Sequence, residues 1–470
     1  MQRGTRVPPP RREDGTVALR RVLVANRGEI ARRIIRACHD EGIEAVAVHS
    51  DVDAGAPFVA DADAAVAIGP GPAPQSYLSV PALLEAARQS GADSVHPGYG
   101  FLSENAGFAA AVAGAGLTWI GPPAEVIAAM GDKVAARAAM VAAGVPVVPG
   151  TPDALGPDED AVAAGMAVGF PLMVKARAGG GGIGMQRVDD PGALAAAVAT
   201  ARQRAAAAFG DGGVFLERFV DGPRHVELQV VADSRGAAIH LGERECSVQR
   251  RHQKVIEESP SCALDAGLRE RMAAAALRAA AAIGYRNAGT VEFLVDAAGD
   301  FHFLEMNTRL QVEHPVTEMR TGVDIVRLQL RIAAGEPLGI GQDEVRFDGH
   351  AIEMRVYAED PYRMFPSPGT ITAWREPAGE GVRVDSGVVE GSVVSHLYDP
   401  LLAKLIVHAP TRDAAIERGL AAVDGFEVAG VRTNLPLHRH ILTSAPFRAG
   451  DYTTALLEVI GPLPKPVPAG

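Results

Sequence analysis

The chain has 470 residues, enough for about two to four domains of 100–200 residues with ample core. A net charge of −12 argues against general nucleic-acid affinity, and 47% hydrophobic with 22% charged residues is ordinary for a soluble globular protein. Cys38, Cys246 and Cys262 lack metal-type spacing and read as free thiols in a reducing, cytoplasmic compartment, Cys246 as a small filler. No stretch reads as a membrane span. Only five of the 45 cationic side chains are lysine: Lys133, Lys175, Lys254, Lys404 and Lys465. Where arginine has taken over so widely, a retained lysine can mark a place that needs a compact point charge rather than a planar fork.

Residues 1–20 hold Pro8-Pro9-Pro10, several arginines and no apolar core, the pattern of a disordered basic tail rather than a signal peptide. Arg21–Ala25 predicts a strand, Asn26–Glu29 a polar turn, Ile30–Asp40 a helix and Ala45–Val48 a second strand. Strand, turn, helix and strand make a βαβ unit and hence a parallel sheet. A single glycine in that turn weighs against dinucleotide binding. His96-Pro97-Gly98-Tyr99-Gly100 is a rigid turn before a helix start at Ser103-Glu104-Asn105. The Pro, Gly and Asp of 146–160 place a domain boundary. A unit over about 150–220 follows, with Gly179–Gly182 and an alanine-rich helix at 192–208. Beyond about 221 we expect a helix over 265–283, a hairpin over 288–313, a helix over 322–334 and β-rich structure over 349–408.

Three segments carry chemistry. Pro171–Lys175 reads as a buried strand ending in a lysine, followed by a glycine run. Such a run can cradle an anion with its N–H groups or serve as a flexible linker, and its spacing is not that of a Walker loop. Gln249-Arg250-Arg251-His252-Gln253-Lys254 is a dense cationic patch in an acidic protein, either a solvated face or, as its lysine favours, an anion site. The third is the run from Val291 to Val295, a turn, and then Phe301 to Glu313. Its odd positions from 305 are Glu305, Asn307, Arg309, Gln311 and Glu313, between largely apolar neighbours. Period two puts this polar set on one face. The span exceeds an ordinary strand, so its end should bend into a loop. A four-residue turn at 297–300 places Glu292 opposite Glu305; a one-residue slip puts them on opposite faces. Two facing carboxylates plus Asn307 make a hard oxygen site suited to magnesium shared with nucleotide phosphates. A carboxylate beyond an arginine suits a base acting on a small anion held by that arginine. Arg355 lies in another alternating stretch, where a structural ion pair is its default reading.

With these residues assembled, the chain resembles the biotin carboxylases of the ATP-grasp superfamily. The matching stretches are ANRGEIA at 25–31, HPGYGFLSEN at 96–105, MGDK at 130–133, RHVELQV at 224–230, QRRHQK at 249–254, EMNTRLQVEHPVTE at 305–318 and AEDP at 358–361. The resemblance implies an α/β fold of three domains after the tail. These are a Rossmann-like parallel-sheet domain over 21–131, an ATP-grasp domain over 132–335 with a mobile glycine-rich lid at about 150–220, and an α+β C-terminal domain over 349–462. It implies ATP-dependent phosphorylation of bicarbonate to carboxyphosphate, and transfer of the released carbon dioxide to a deprotonated ureido nitrogen of biotin. Lys133 and Lys175 then contact nucleotide under Gly181 and Gly182 of the lid. Glu217, Arg218, Phe219 and Val220 meet the adenine, His225 the ribose and His252 a phosphate, and Gln249 and Leu294 complete the nucleotide set. Glu292, Glu305 and Asn307 hold magnesium or manganese. Lys254, Arg309, Gln311 and Val312 position bicarbonate, Glu313 is the base, and Arg355 stabilises the biotin enolate.

Three departures from the family pattern stand out. Ile183 occupies a lid position where relatives commonly carry Arg or Lys. Arg177 and Ala178 precede the glycines, where small residues are usual, and Arg177 is a candidate to replace the missing lid charge. Glu380 lies in a stretch that forms the family's dimer interface, where an apolar residue can occur. Neither Lys404 nor Lys465 sits in a Met-Lys-Met setting. The resemblance therefore implies biotin borne by a separate carrier, a carboxyltransferase partner, and a homodimer or a place in a larger carboxylase complex. The other readings are a different ATP-grasp ligase and a non-catalytic ATP-binding subunit.

Overall fold

The first apolar run, Arg21–Val24 (β1), lies at the centre of a five-stranded parallel sheet in the computed structural model, which describes residues 16–156, 159–177 and 185–464. Around it stand Glu44–Ser50 (β2), Ala64–Gly69 (β3), Ser94–His96 (β4) and Thr118–Trp119 (β5), in the order β3-β2-β1-β4-β5. The helix Gly28–Asp40 (α1) makes the expected crossover, burying Ile30, Ile34 and Cys38 at i, i+4, i+8 on one stripe. Gly28 starts it in a left-handed conformation, φ +65°, that favours glycine. Of the expected tail, Val17 is already fixed to the body, its N–H donating to the Ala334 carbonyl at 2.7 Å. Residues 1–15, Gly179–Gly182 and Lys465 lie outside the described residues.

A small antiparallel sheet follows, built from Leu172–Ala176 (β6), Gln186–Val188 (β7) and Val214–Arg218 (β8), with the helix Pro191–Phe209 packed on it. Asp190 caps that helix by accepting from the Gly192 N–H.

The largest element is an eight-stranded antiparallel sheet. Its order is β13-β12-β9-β10-β11-β14, then Leu401–Ala409 and Val382–Ser386. These labels denote Arg224–Ala232 (β9), Ala238–Arg250 (β10), Gln253–Ser259 (β11), Asn287–Val295 (β12), Phe301–Asn307 (β13) and His350–Tyr357 (β14). The helix Ala266–Ala282 packs on β9 and β10 through buried Ala275, Ala276, Ala279 and Ala280, whose small side chains allow close approach. The expected helix over 322–334 is present as Ile325–Ala333, and a further helix, His314–Thr321, which was not expected, precedes it. His314–Thr321 ends at Gly322, which takes φ +72°, and Ile325–Ala333 starts after Asp324, whose carboxylate caps Arg327 N–H at 2.8 Å. Polar alternation through Glu313 hid the first helix. Among the described residues no helix is long and apolar enough to cross a membrane.

Candidate active site

Alternation on β9 puts His225, Glu227 and Gln229 on one face of the large sheet, and all three are buried. Neighbouring β12 brings Glu292 opposite Glu227 on one side and opposite Glu305 of β13 on the other. The predicted facing of Glu292 and Glu305 is therefore present, by a different route. Asp296 and Asp300 close the hairpin around residues 297–299, one residue fewer than expected, with Asp296 N–H donating to Asp300 C=O at 2.9 Å. That alone shifts the register by one. A bulge at Leu304 shifts it back, since Phe293 pairs with Phe303 while Glu292 pairs with Glu305. The chain leaves the strand after Asn307, as its length required, and Glu313 stands at the N-cap of the next helix.

Lys254 on β11 is the hub. Its ammonium donates to Glu227 at 2.6 Å, Glu313 at 2.6 Å and Glu292 at 3.1 Å. Arg355 on β14 donates to the other oxygen of Glu313 at 3.0 Å and to Glu257 at 2.6 Å. Burial alone would raise the Glu313 carboxyl. Lys254 and Arg355 reverse that and hold it well below the usual carboxylate range, so it stands ionised with two cations against it. Burial pushes neighbouring Glu257 up to about 7, against the pull of Arg355. Arg244, fully buried, supports the floor by donating to Glu227, Gln229 at 2.7 Å and Thr290 at 3.0 Å. Arg309 donates to Glu104 at 2.9 Å, Asn307 Oδ1 at 2.7 Å and Gln311 Oε1 at 2.8 Å.

The oxygen set fits a small hard cation. Glu292 and Glu305 face each other with carboxylate oxygens and Asn307 adds its amide oxygen, while Glu305 is the most exposed of the three and accepts from Lys133 at 2.7 Å. His225, Glu227 and Glu292 also bring ligand atoms within 4.8 Å of one another, but both Glu227 oxygens already accept from Arg244 and Lys254. The Glu292, Glu305 and Asn307 set is favoured by its hard oxygens alone, since Glu292 Oε1 and Asn307 Oδ1 likewise already accept, from Lys254, Gln311 and Arg309.

At the small-sheet end Lys175 pairs with Glu217. Apart from Gly181 and Gly182, which lie outside the described residues, every predicted site residue lines one cleft of about 1250 Å³. Two expectations need correcting. The stretch 249–254 is not one cationic patch but a hairpin tip. Arg250 is tied to Glu359, Arg251 and His252 stand exposed at the cleft's rim in left-handed conformations at φ +51° and +68°, and Lys254 reaches the buried hub. Arg177 donates to Asp211 at 3.0 Å and lies 3.7 Å from Asp132, so its charge is already matched at the base of the glycine segment. Arg177→Ala is expected to leave the KM for ATP within about threefold, measured by steady-state kinetics, because a half-exposed pair of this kind contributes about 1 kcal/mol or less.

Sequence reasoning missed Glu227, Glu257 and Glu104, the acids that hold Lys254, Arg355 and Arg309. The period-two pattern His225, Glu227, Gln229 was the available signal for the first. Cys246 is fully buried, as a small filler would be, with its thiol 3.9 Å from Glu313 and pushed well up by burial, so it stands there as the neutral thiol.

A sheet-floored cleft covered by a small β-sheet unit, with lysines at both ends and paired carboxylates between, defines an ATP-grasp enzyme. The family model described as "Carbamoyl-phosphate synthase L chain, ATP binding domain" matches residues 132–340. The models for the biotin carboxylase N-terminal and C-terminal domains match 18–127 and 353–459. The chain belongs to the biotin carboxylase family and is an ATP-dependent ligase. It is 52% identical to a biotin carboxylase of Halalkalibacterium halodurans over 93% of this chain and 97% of that one. It is 48% identical to a pyruvate carboxylase subunit of Methanothermobacter thermautotrophicus, over 93% of this chain and 89% of that one. Among solved structures, a Campylobacter jejuni biotin carboxylase bound to a β,γ-ATP ligand superposes with TM-score 0.92 at 43% identity, covering 94% of this chain and 99% of that one. The biotin carboxylase domain dimer of Hydrogenobacter thermophilus 2-oxoglutarate carboxylase, with MgADP and bicarbonate, gives 0.90 at 44% identity, covering 94% and 97%.

Proposed function

We propose that the chain uses ATP to carboxylate biotin on a separate carrier, as the first half-reaction of an acyl-CoA carboxylase or a similar complex. The observation that carries this is the Lys254–Glu313–Arg355 cluster beside facing Glu292 and Glu305 in one cleft. Lys133, Lys175 and the 217–220 strand end bind the nucleotide. Glu292, Glu305 and Asn307 would hold magnesium or manganese, which would supply neutralising charge to the phosphates. Arg309, Gln311, Val312 and Lys254 hold bicarbonate against the transferred phosphoryl group. Glu313, already ionised, takes the proton, and Arg355 faces the charge that develops on the biotin ring. The three-domain division at 21–131, 132–335 and 349–462, the cytoplasmic setting, and the carrier and carboxyltransferase partners belong to the same proposal. Exposed Glu380 leaves the homodimer to be tested by light scattering.

The decisive assay is ATP hydrolysis by the purified chain. It should require bicarbonate and be stimulated by free biotin. Hydrolysis driven by another carboxylate would favour a different ATP-grasp ligase, and ATP binding without turnover a non-catalytic subunit.

A further inference from the structure

Lys404 has no part in the reaction outlined above, yet it is fully buried in the middle of the strand Leu401–Ala409 among Leu402, Leu405 and Ile406. A lysine so placed is rare and needs partners for its charge. It has three. Its Nζ donates to the Val312 carbonyl at 3.0 Å, lies 3.1 Å from a carboxylate oxygen of Glu29, and stands 5.7 Å from the centre of the Tyr99 ring. Glu29 begins α1, so the ammonium joins the N-terminal domain, the C-terminal strand and the 308–313 loop at one point.

Register gives this contact its meaning. Lys404 stands directly opposite Arg355 of β14, and residues so paired project from the same face of a sheet. The two adjacent cations therefore grip consecutive residues of one loop, Arg355 the Glu313 carboxylate and Lys404 the carbonyl of Val312 just before it. The rest of the loop is pinned too. Thr308 N–H donates to Glu104 at 3.2 Å, and His314 Nδ1–H donates to the Gln311 carbonyl at 2.8 Å. Remove Lys404 and the Val312 carbonyl and Glu29 lose the cation between them, at the point where the loop hands over to the helix. An arginine's planar fork spreads its charge over several donors, where this seat takes a compact one, 3.0 Å from the Val312 carbonyl and 3.1 Å from Glu29.

We propose that Lys404 is a positioning residue: from a seat fixed by Glu29, it sets the turn that presents Gln311, Val312 and Glu313 to the small anion. The inference rests on the reaction proposed above and deepens it. It also supplies a reason for lysine at a fourth of the chain's five lysine positions.

The test uses the full chain and two readouts. In Lys404→Met, amide hydrogen exchange over 308–313 should quicken at least tenfold while β9 and β10 exchange as before. The KM for bicarbonate should rise about tenfold, the scale of one lost hydrogen bond to a charged group, with the KM for ATP within twofold. Lys404→Arg should not rescue either. Exchange at 308–313 unchanged from wild type, or KM values for ATP and bicarbonate rising together, would overturn the proposal. Should Lys404→Met fail to fold, Glu29→Gln, measured well above the pH of about 7 to which burial raises Glu29, keeps the packing and removes the charge of the seat. It should shift the same two readouts in the same direction, and no shift there overturns the proposal as well. Wild-type protein without bicarbonate-dependent ATP hydrolysis would sink the proposed reaction instead, and the exchange measurement would still decide whether Lys404 holds the loop.

Discussion

Glu313→Gln is expected to lower biotin-dependent ATP turnover by about a thousandfold, the ordinary scale for losing a placed general base, while ATP still binds. Glutamine keeps the shape but can accept from only one of Lys254 and Arg355, which hold different oxygens of Glu313, so the loss combines the charge, the proton-accepting role and one of these two hydrogen bonds. The two cations hold the Glu313 carboxyl well below the usual carboxylate range. The wild-type rate should therefore show no acid limb from this group anywhere near neutrality, because the base stays ionised as pH falls toward 5. Steady-state rates across pH check both statements. A variant retaining more than a tenth of the wild-type rate removes Glu313 from the base role.

Lys254→Met should be as severe and should differ in kind. Three carboxylates, Glu227, Glu292 and Glu313, lose their common ammonium. Breaking a buried pair from one side costs roughly 3–5 kcal/mol, so the midpoint of thermal unfolding should fall. The proton balance shifts as well. Lys254 is the strongest influence lowering both Glu292 and Glu313 against their burial, so its loss raises both carboxyls. A raised base is ionised only at higher pH. Residual activity should therefore begin to fall at a higher pH than the Glu313 contribution does in the wild type. A fall at the same pH as in the wild type would mean that Lys254 does not set the state of Glu313.

Much of the site was legible because period-two alternation is a direct record of which face a side chain occupies. It placed Glu292, Glu305 and Asn307 together and foretold that the segment must leave the sheet before Glu313. The turn itself was misread by one residue, and only the bulge at Leu304 kept the pairing intact. Bulges leave no periodic trace, so no counting along the chain could have found it. The cationic run 249–254 failed for a related reason. Composition shows that charges are close in sequence, whereas a hairpin tip sends adjacent residues in different directions: Arg250 to Glu359, Arg251 to the exposed rim of the cleft and Lys254 to the buried hub. The acids that hold the cations, Glu227, Glu257 and Glu104, come from three separate parts of the chain. Their partnership exists only once the sheet order is known. Lys404 is the extreme case, since the two groups its ammonium touches, the Val312 carbonyl and Glu29, come from distant parts of the chain.

The eight-stranded sheet passes without a break from the region matched by the ATP-binding model to the region matched by the C-terminal model. The seam is the β11–β14 ladder, with Ile256 beside Met354 and Glu258 beside Ile352. A chain cut near residue 345 would leave each piece with a raw, buried edge that neither can satisfy alone. The two pieces should then be insoluble when made separately and should recover activity only when produced together, each serving as the template on which the other closes.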